Sequence, residues 1–238
     1  MKFQAPLIKA TLVRRYKRFL ADVVLADGRT VTAHCGNPGA MLGLNTPGST
    51  IWVEPNDDPK RKLKYAWKLN ELPGGHWAGI DTNLPNRIIG AALRDRQIPE
   101  LAEYSGVRPE VKYGESSRID FLLSQNGLRN TYVEVKNVHL RRSGDLAEFP
   151  DCVTARGTKH LNELSNMVVQ GRRAVMLYFV QRTDCARFKL AADLDPAYAT
   201  AFDLARAGGV EVLCYGAAIT TGGISLAGPL PVDAAKQI

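Results

Sequence analysis

Short runs in which apolar and polar residues alternate fill the first third of the chain, and this period of two predicts β-strands. Turn-forming strings such as Asn37-Pro38-Gly39 and Pro73-Gly74-Gly75 separate the runs. The predicted strands are Leu7–Val13, Phe19–Leu25, Thr30–Cys35, Thr50–Glu54, Lys62–Leu72 and Trp77–Ile80. Closely spaced short strands with glycine and proline turns predict a small barrel, and an OB-like barrel is the first expectation.

Beyond Asp81 the pattern changes to helical spacing interrupted by buried strands. Ile88, Ile89, Ala92 and Leu93 form an apolar stripe on a helix that starts near Pro85. The elements predicted after the barrel are a helix at Pro85–Arg96, strands at Ser117–Leu123 and Thr131–Asn137, a helix at Thr158–Val169, a strand at Arg173–Val180, a helix at Pro196–Ala207 and a strand at Val210–Tyr215. This order predicts an α/β domain with a mixed sheet over residues 85–238, following a barrel domain over residues 1–84. The tail from Gly222 is expected to be irregular.

The two strands that begin the mixed sheet carry charges where a core is expected. Gln125-Asn126-Gly127 predicts a hairpin between them, with Asp120 on the first strand and Glu134 and Lys136 on the second. A buried carboxylate is costly unless it is paired or binds a metal. These three residues therefore form the candidate catalytic site.

Glu134 and Lys136 leave the same face of their strand because they are two positions apart, and Asp120 is expected opposite Ile119, Phe121 and Leu123. If Asp120 lies beside Glu134, the two acids can bind Mg²⁺, or Mn²⁺, while Lys136 orients a water or stabilises developing negative charge. A two-residue turn would instead set Asp120 against Val133, so this hypothesis predicts an odd-numbered loop or a β-bulge. The alternative is an internal ion pair that stabilises the sheet.

The net charge of +7 points to an anionic partner, and its distribution sharpens this expectation. Residues 1–84 contain 12 lysines and arginines against 7 acids, and two stretches interleave cations with aromatic residues. The first contains Arg14, Arg15, Lys17 and Arg18, and in the second a strand would place Lys60, Lys62, Lys64 and Lys68 opposite Arg61, Leu63, Tyr65 and Trp67. Such a stripe is typical of a phosphate-binding surface, or of a solvated edge strand protected by lysines.

The remaining composition excludes several classes of protein. No apolar run approaches the length of a membrane helix, and the first 20 residues lack the pattern of a signal peptide. Cys35, Cys152, Cys185 and Cys214 are scattered, which argues against structural zinc and favours a reducing, cytoplasmic location. Ser116-Ser117 lacks the glycine elbow of a serine hydrolase.

Several strings, in order, resemble the sugar fermentation stimulation protein A family from end to end. They are Arg14–Asp22, Asn37–Met41, Glu110–Gly114, Ser117–Phe121, Tyr132–Lys136, Phe149–Asp151 and Val153–Leu161. The resemblance implies an OB-like domain, a restriction-endonuclease-like domain of the PD-(D/E)xK type and non-specific DNA binding, and the family has been linked to sugar metabolism. It assigns Asp120 as the metal-binding Asp, Glu134 as the second acid and Lys136 as the catalytic lysine.

One departure concerns the acid that many such nucleases add from the helix before the hairpin. The start of that helix offers Asn86 and Arg87 instead, so Glu115 or Asp151 is a candidate for the missing oxygen ligand. Arg156, Lys159 and His160 open a later helix and could hold a phosphate. The alternative is that Arg156 pairs with Asp151 and that His160 is an ordinary half-buried histidine.

These observations predict a cytoplasmic protein that binds double-stranded DNA with little sequence preference and cleaves it with Mg²⁺. The expected DNA-binding residues are Arg14, Arg15, Lys17, Arg18, Arg61, Lys62, Lys64, Arg156 and Lys159. The alternatives are a non-catalytic DNA-binding regulator that retains the nuclease fold, and a barrel directed to RNA. No membrane partner is expected, and a homodimer is a candidate assembly.

Overall fold

The computed structural model describes residues 1–114 and 117–233. The chain begins with a barrel whose strands alternate buried and exposed positions, as in Leu20–Leu25, where Ala21, Val23 and Leu25 point inward. The strands are β1 (Ile8–Tyr16), β2 (Leu20–Leu25), β3 (Thr30–Cys35), β4 (Thr50–Pro55), β5 (Tyr65–Leu72) and β6 (His76–Gly79).

The barrel closes through a parallel pairing between β3 and β5. β1 pairs antiparallel with both β2 and β4, β2 pairs with β3, and β4 pairs with β5, while β6 extends the sheet from β5. The predicted OB-like barrel is confirmed. Its apolar interior includes Leu12, Val23, Ile51, Val53 and Trp67.

The predicted lysine stripe on a strand from Lys62 is wrong, because β5 begins only at Tyr65. The preceding residues form a loop that satisfies its own main chain. The Asn56 side chain accepts the Asp58 N–H at 2.9 Å, and the Asp58 side chain accepts the Lys60 N–H at 2.9 Å. Such turns compete with strand pairing, so Lys60, Lys62 and Lys64 lie on an exposed loop, whereas Lys68 lies on β5 and is half-buried.

A mixed sheet with helices on both faces forms the rest of the chain, as predicted. Its strand order is β14-β13-β11-β9-β8-β7, in which β9, β11 and β13 run parallel. The helices are α1 (Leu84–Arg94), α2 (Ala155–Val169) and α3 (Pro196–Ala207). The strands are β7 (Gly106–Tyr113), β8 (Ser117–Ser124), β9 (Thr131–Val138), β10 (Leu146–Phe149), β11 (Arg173–Val180), β12 (Arg187–Leu190), β13 (Glu211–Thr220) and β14 (Gly223–Pro229).

Two apolar clusters cover the two faces of this sheet. α1 packs on the face that carries Val133 and Val135, whereas α2 and α3 pack on the face that carries Tyr132 and Tyr178. Because successive residues of a strand alternate between faces, Glu134 and Lys136 of β9 lie on the side of α2.

The expected irregular tail from Gly222 is wrong. Residues Gly223–Pro229 form β14, which pairs with β13 and sets Ile224 opposite Ile219. The Ile224 N–H also donates to the Met1 carbonyl at 2.9 Å. Pairing with distant segments stabilises a glycine-containing strand whose local sequence does not predict it.

The barrel and the α/β domain dock through main-chain bonds and shared core. The Gly79 N–H donates to the Gln181 carbonyl at 3.0 Å, and the Thr183 N–H donates to the Trp77 carbonyl at 2.9 Å. Leu69 of the barrel belongs to the apolar cluster under α1. No helix in the described part of the chain is long and apolar enough to cross a membrane, and all four cysteines are free thiols.

Candidate active site where β8 and β9 separate

The register of the β8–β9 hairpin brings the predicted acids level with each other. Phe121 lies opposite Val133 and Leu123 lies opposite Thr131, so the connection between the last pair is the odd-numbered stretch 124–130. Continuing this register places Asp120 opposite Glu134. The predicted odd-numbered loop is confirmed.

The strands separate at Asp120. Among the described residues, the β8–β9 ladder stops at Phe121, and Asp120 is also skipped in the ladder with β7, where Glu110 has a φ of +54°. The Asp120 carboxylate replaces a main-chain acceptor, because its Oδ2 accepts the Val135 N–H at 2.7 Å. Asp120 therefore lies in the gap between two strands.

The alternation of the β8 side chains between the two faces of the sheet is interrupted at this gap. Ile119 packs in the cluster under α2, whereas Phe121 and Leu123 pack in the cluster under α1. The prediction that Ile119 would share a face with Phe121 and Leu123 is therefore wrong, since the interrupted ladder rotates the strand. The rotation lets Asp120 reach the edge of β9.

Helix α1 holds the second oxygen of Asp120. The Asn86 Nδ2 donates to Asp120 Oδ1 at 2.6 Å. Sequence reasoning noted Asn86 only because an acid was missing there, and the structure shows an amide that fixes the orientation of Asp120.

Glu134, Lys136 and His160 form a compact triangle between β9 and α2. Lys136 Nζ lies 2.8 Å from Glu134 Oε1 and 3.0 Å from His160 Nδ1, and His160 Nδ1 also hydrogen-bonds to Glu134 Oε1. Arg156 Nε donates to His160 Nε2 at 3.4 Å, so Nε2 is an acceptor. In a neutral ring the proton is then on Nδ1, and Nδ1–H donates to Glu134 Oε1. His160 is buried, not half-buried, and belongs to the site.

The two acids experience different environments. Burial and the neighbouring Glu134 carboxylate together raise the pKa of Asp120 to about 6, although the Val135 N–H, the Lys136 charge and the Asn86 amide act in the opposite direction. Burial also raises the pKa of Glu134, but hydrogen bonds from His160 and the charge of Lys136 outweigh burial and lower it below its usual value. The pKa of Asp120 is therefore raised while the pKa of Glu134 is lowered, so Glu134 is the more acidic of the two carboxyls.

The donor set fits a hard divalent cation with few protein ligands. Glu134 Oε2 is buried without a hydrogen-bond partner in the described residues. No group of three or more His, Cys, Asp or Glu side chains is positioned to hold a metal within residues 1–114 and 117–233. Mg²⁺ commonly takes one or two carboxylates and completes its shell with waters and substrate phosphate, which is what Asp120 and Glu134 offer.

Asp151, one of the two candidates for the missing oxygen ligand, lies apart from this cluster. Asp151 lies against the loop that follows β3, where a Cβ on Gly39 would approach its Oδ2 to 3.1 Å. Glu115 lies outside the described residues. The alternative pairing of Arg156 with Asp151 is absent from the ion pairs of the described residues, whereas Arg156 contacts His160.

Two of the predicted DNA-binding residues, Arg14 and Arg15 of β1, already have partners within the protein. Arg14 pairs with Asp22 at 2.8 Å, and Arg15 donates to the carbonyls of Asn37 and Gly39 at 2.7 and 2.9 Å. Arg15 therefore holds the Asn37-Pro38-Gly39 turn in place, and its role is structural in this conformation.

The other predicted DNA-binding residues are exposed. Lys17 and Arg18 form the turn between β1 and β2, with φ of 47° and 62°, while Lys64 donates to the Asp58 carbonyl at 2.8 Å. Arg156 and Lys159 lie on the first turns of α2. The exposed set is Lys17, Arg18, Arg61, Lys62, Lys64, Arg156 and Lys159.

A cavity of about 320 Å³ lies between the barrel and α1, the helix whose Asn86 side chain hydrogen-bonds to Asp120. His34, Arg61 and Lys68 line it from the barrel, and Arg87 lines it from α1, one residue after Asn86. The exposed loops and the candidate site therefore border one region.

Sequence reasoning missed two buried polar residues near the site. Glu163 lies on α2 at the buried spacing of His160 and Met167, so an acid on an apolar helix face was the available signal. His139 follows β9 and contacts the Asn37 and Asn137 amides through Nδ1 at 3.2 and 2.9 Å. No local pattern distinguishes this interdomain histidine.

Comparisons with known proteins agree with this architecture. The sequence matches the sugar fermentation stimulation protein RE domain over residues 83–223 and the SfsA N-terminal OB domain over residues 13–80. The solved structure of Pyrococcus furiosus SfsA in complex with Ca²⁺ is similar with a TM-score of 0.86 and 28% identity, and the match covers 98% of both chains.

Bacterial relatives match over their whole length. A sugar fermentation stimulation protein homolog of Dinoroseobacter shibae is 65% identical over 238 residues, which cover 100% of this chain and 98% of the relative. A homolog of Agrobacterium fabrum is 51% identical over 233 residues, covering 98% of this chain and 97% of the relative. The chain therefore belongs to the sugar fermentation stimulation protein family.

Proposed function

We propose that this protein binds duplex DNA through its phosphates and hydrolyses phosphodiester bonds with a divalent cation, Mg²⁺ or Mn²⁺, held by Asp120 and Glu134. The observation that carries the proposal is the meeting of the buried Glu134 carboxylate, the half-buried Asp120 carboxylate and Lys136 where β8 and β9 separate. Buried like charges are unfavourable, and a bound cation would compensate them. The Ca²⁺ in the archaeal relative's structure is a cation with the same preference for oxygen ligands.

DNA binding is proposed for the loops β1–β2 and β4–β5 of the barrel. In OB folds these two loops commonly contact oligonucleotides. Here they carry the exposed cations Lys17, Arg18, Arg61 and Lys62. Lysine and arginine on loops contact phosphates without reading bases, so binding should be sensitive to salt and largely independent of sequence.

The proposed chemistry assigns separate roles to the chain's own residues. A bound divalent cation would polarise the phosphodiester and acidify a water. Glu134 is kept ionised by His160 and Lys136, and Asn86 with the Val135 N–H fixes Asp120. Lys136 would orient the attacking water and stabilise the charge that develops on the phosphate as the P–O bond to the leaving hydroxyl breaks. Arg156, exposed beside His160, would contact the phosphate backbone.

A second candidate is a non-catalytic DNA-binding regulator, and one observation favours it. Glu134 Oε1 is already engaged by both Lys136 and His160, which is also how a purely structural ion pair would be arranged. Both candidates require DNA binding, and they differ only in cleavage.

The test is incubation of purified protein with supercoiled plasmid in Mg²⁺ or Mn²⁺, alongside Glu134→Gln and Lys136→Met. The proposal predicts nicking by the wild type, loss of nicking in both variants and duplex affinity unchanged within about twofold. Binding without any nicking by the wild type would favour the regulator. Equal nicking by the wild type and both variants would contradict the assigned site.

A further inference from the structure

The turn between β1 and β2 presents an aromatic ring to solvent. Phe19 is 48% exposed and follows the exposed cations Lys17 and Arg18. Its main chain is bonded on both sides, because the Phe19 N–H donates to the Lys17 carbonyl at 2.7 Å and the Phe19 carbonyl accepts the Cys35 N–H at 2.8 Å. The main chain therefore holds this ring at the surface of the barrel.

The two residues before Phe19 have a strained main chain. Lys17 and Arg18 have φ of 47° and 62°, in the left-handed region that favours glycine. Glycine at these positions would relieve the strain but would remove two cations that flank the ring. Strain that persists beside exposed cations is typical of a functional turn.

Phe19 forms a ring pair with His34 of β3. The two ring centroids are 6.4 Å apart and the ring planes are parallel within 1°. Both side chains are exposed, so part of the ring surface remains open to another planar group. Exposed aromatic side chains on OB barrels stack on the bases of single-stranded nucleic acids.

Cations lie next to this ring pair. His34 also lines the cavity of about 320 Å³ between the barrel and α1, together with Arg61, Lys68 and Arg87. Lys68 is paired with the acids of that cavity, whereas neither Arg61 nor Arg87 forms an ion pair within residues 1–114 and 117–233. The ring pair is thus bordered by arginines that can contact the phosphates of a strand whose bases stack on it.

The cavity continues towards the candidate active site. Arg87 follows Asn86, whose amide donates to Asp120 at 2.6 Å. A strand bound at the ring pair would therefore approach the acids along α1. Bases of an intact duplex are paired and stacked on each other, so only unpaired bases offer their faces to Phe19 and His34.

We propose that Phe19 and His34 stack on unpaired bases of DNA, while Arg61 and Arg87 contact the phosphates of the same strand. The preferred substrate would then contain a single-stranded segment, such as an overhang next to a duplex. This inference rests on the proposed function in taking DNA as the ligand. The competing explanation is that the ring pair only packs the rim of the barrel, in which case it affects stability and not the recognition of bases.

A comparison of oligomers by the wild type separates the two explanations. Fluorescence anisotropy without divalent cations, which prevents cleavage, compares oligo(dT) of about 20 nucleotides with an abasic oligomer of the same length. The two oligomers have the same phosphates, so stacking predicts binding about 10-fold weaker for the abasic oligomer. Equal affinity for both oligomers would overturn the proposal.

Variants then assign the base contact to the ring. Phe19→Leu keeps an apolar side chain but should weaken oligo(dT) binding by about 10-fold and duplex binding by less than about twofold, and Phe19→Tyr should restore oligo(dT) binding. Leu204→Ala, which changes an exposed apolar residue of α3, is the control and should match the wild type. Thermal melting first establishes that each variant folds. Unchanged oligo(dT) affinity in Phe19→Leu, or an equal loss for oligo(dT) and duplex, would overturn the proposal.

The outcomes distinguish this inference from the proposed function. Plasmid nicking together with equal binding of oligo(dT) and the abasic oligomer would overturn the inference and leave the proposed function intact. Base-dependent binding that requires Phe19, without any nicking, would overturn the proposed hydrolysis and leave the inference intact. Tighter binding of oligo(U) than of oligo(dT) would assign the ring pair to RNA and overturn the inference.

Discussion

The cations on the barrel loops are exposed to solvent, whereas the acids at the gap between β8 and β9 are largely shielded from it. Lys17, Arg18 and Arg61 lie on exposed loops, where water solvates them and the fold does not depend on them. Glu134 is buried and Asp120 beside it is half-buried, and Asp120 lies where two ladders are interrupted. Surface charges are inexpensive to keep, whereas buried like charges cost stability. Under the proposed function, the barrel would supply affinity and the gap would supply chemistry.

The largest expected effect separates these two contributions. Lys136→Met should reduce plasmid nicking by about 10²- to 10³-fold, because it removes a charge aimed at the transition state. Duplex affinity, measured by fluorescence anisotropy, should change less than about twofold, since exposed phosphate contacts remain. A parallel loss of affinity and nicking would remove the proposed division between the barrel and the gap.

Stability should distinguish the two regions as well. Glu134→Ala is expected to lower the free energy of unfolding by about 3 to 5 kcal/mol, because Lys136 and His160 would remain buried without their common partner. Arg14→Ala, which removes an exposed ion pair from the barrel, should cost less than about 1 kcal/mol. Urea unfolding of both variants measures the contrast, and equal costs would contradict it.

The free energy of unfolding should depend on pH through His139, which lies where the barrel contacts the α/β domain. Burial lowers the pKa of His139 to about 4 from 6.5, so its contribution is fully present above pH 6.5 and is lost as pH falls towards 4. The stability difference between the wild type and His139→Gln should therefore shrink by about 3 kcal/mol over that window. Urea titrations at several pH values measure it, and a difference that is independent of pH would mean that His139 is not held neutral.

The smallest effect concerns single loop cations. Lys17→Ala and Arg18→Ala should each weaken duplex binding by about 3- to 10-fold and reduce the salt slope by about 1. Arg29→Ala is the matched control, because Arg29 is an exposed arginine on the turn between β2 and β3 and pairs with Asp27. An equal effect of Arg29→Ala would show that net charge, and not the β1–β2 loop, determines affinity.

Much of the fold followed from local pattern. Strand β11 and helix α3 occupy the predicted bounds because long apolar runs and a proline start specify them. β14 and the short pair β10 and β12 depend on partners remote in sequence, so no local period specifies them.

The candidate site likewise has features that the sequence predicts and features that it does not. The spacing of Glu134 and Lys136 was predictable from strand geometry, whereas the odd-numbered hairpin was predicted by the metal-site hypothesis and not by Asn126-Gly127, which suits a two-residue turn. His160 reaches Glu134 and Lys136 from a helix that packs on the sheet, and this contact exists only in three dimensions. The family resemblance includes the string Val153–Leu161, which contains His160. Glu163 lies in an apolar stripe of α2 that gives no functional signal.

The most direct test of the account is the anomalous diffraction of wild-type crystals soaked in Mn²⁺. The central claim is that the acids at the gap hold a divalent cation. We predict a peak that contacts the carboxylates of both Asp120 and Glu134, with the Lys136 ammonium displaced little from its present position. A fully soaked crystal with no peak at these carboxylates, and with Lys136 and His160 still bound to Glu134, would contradict it.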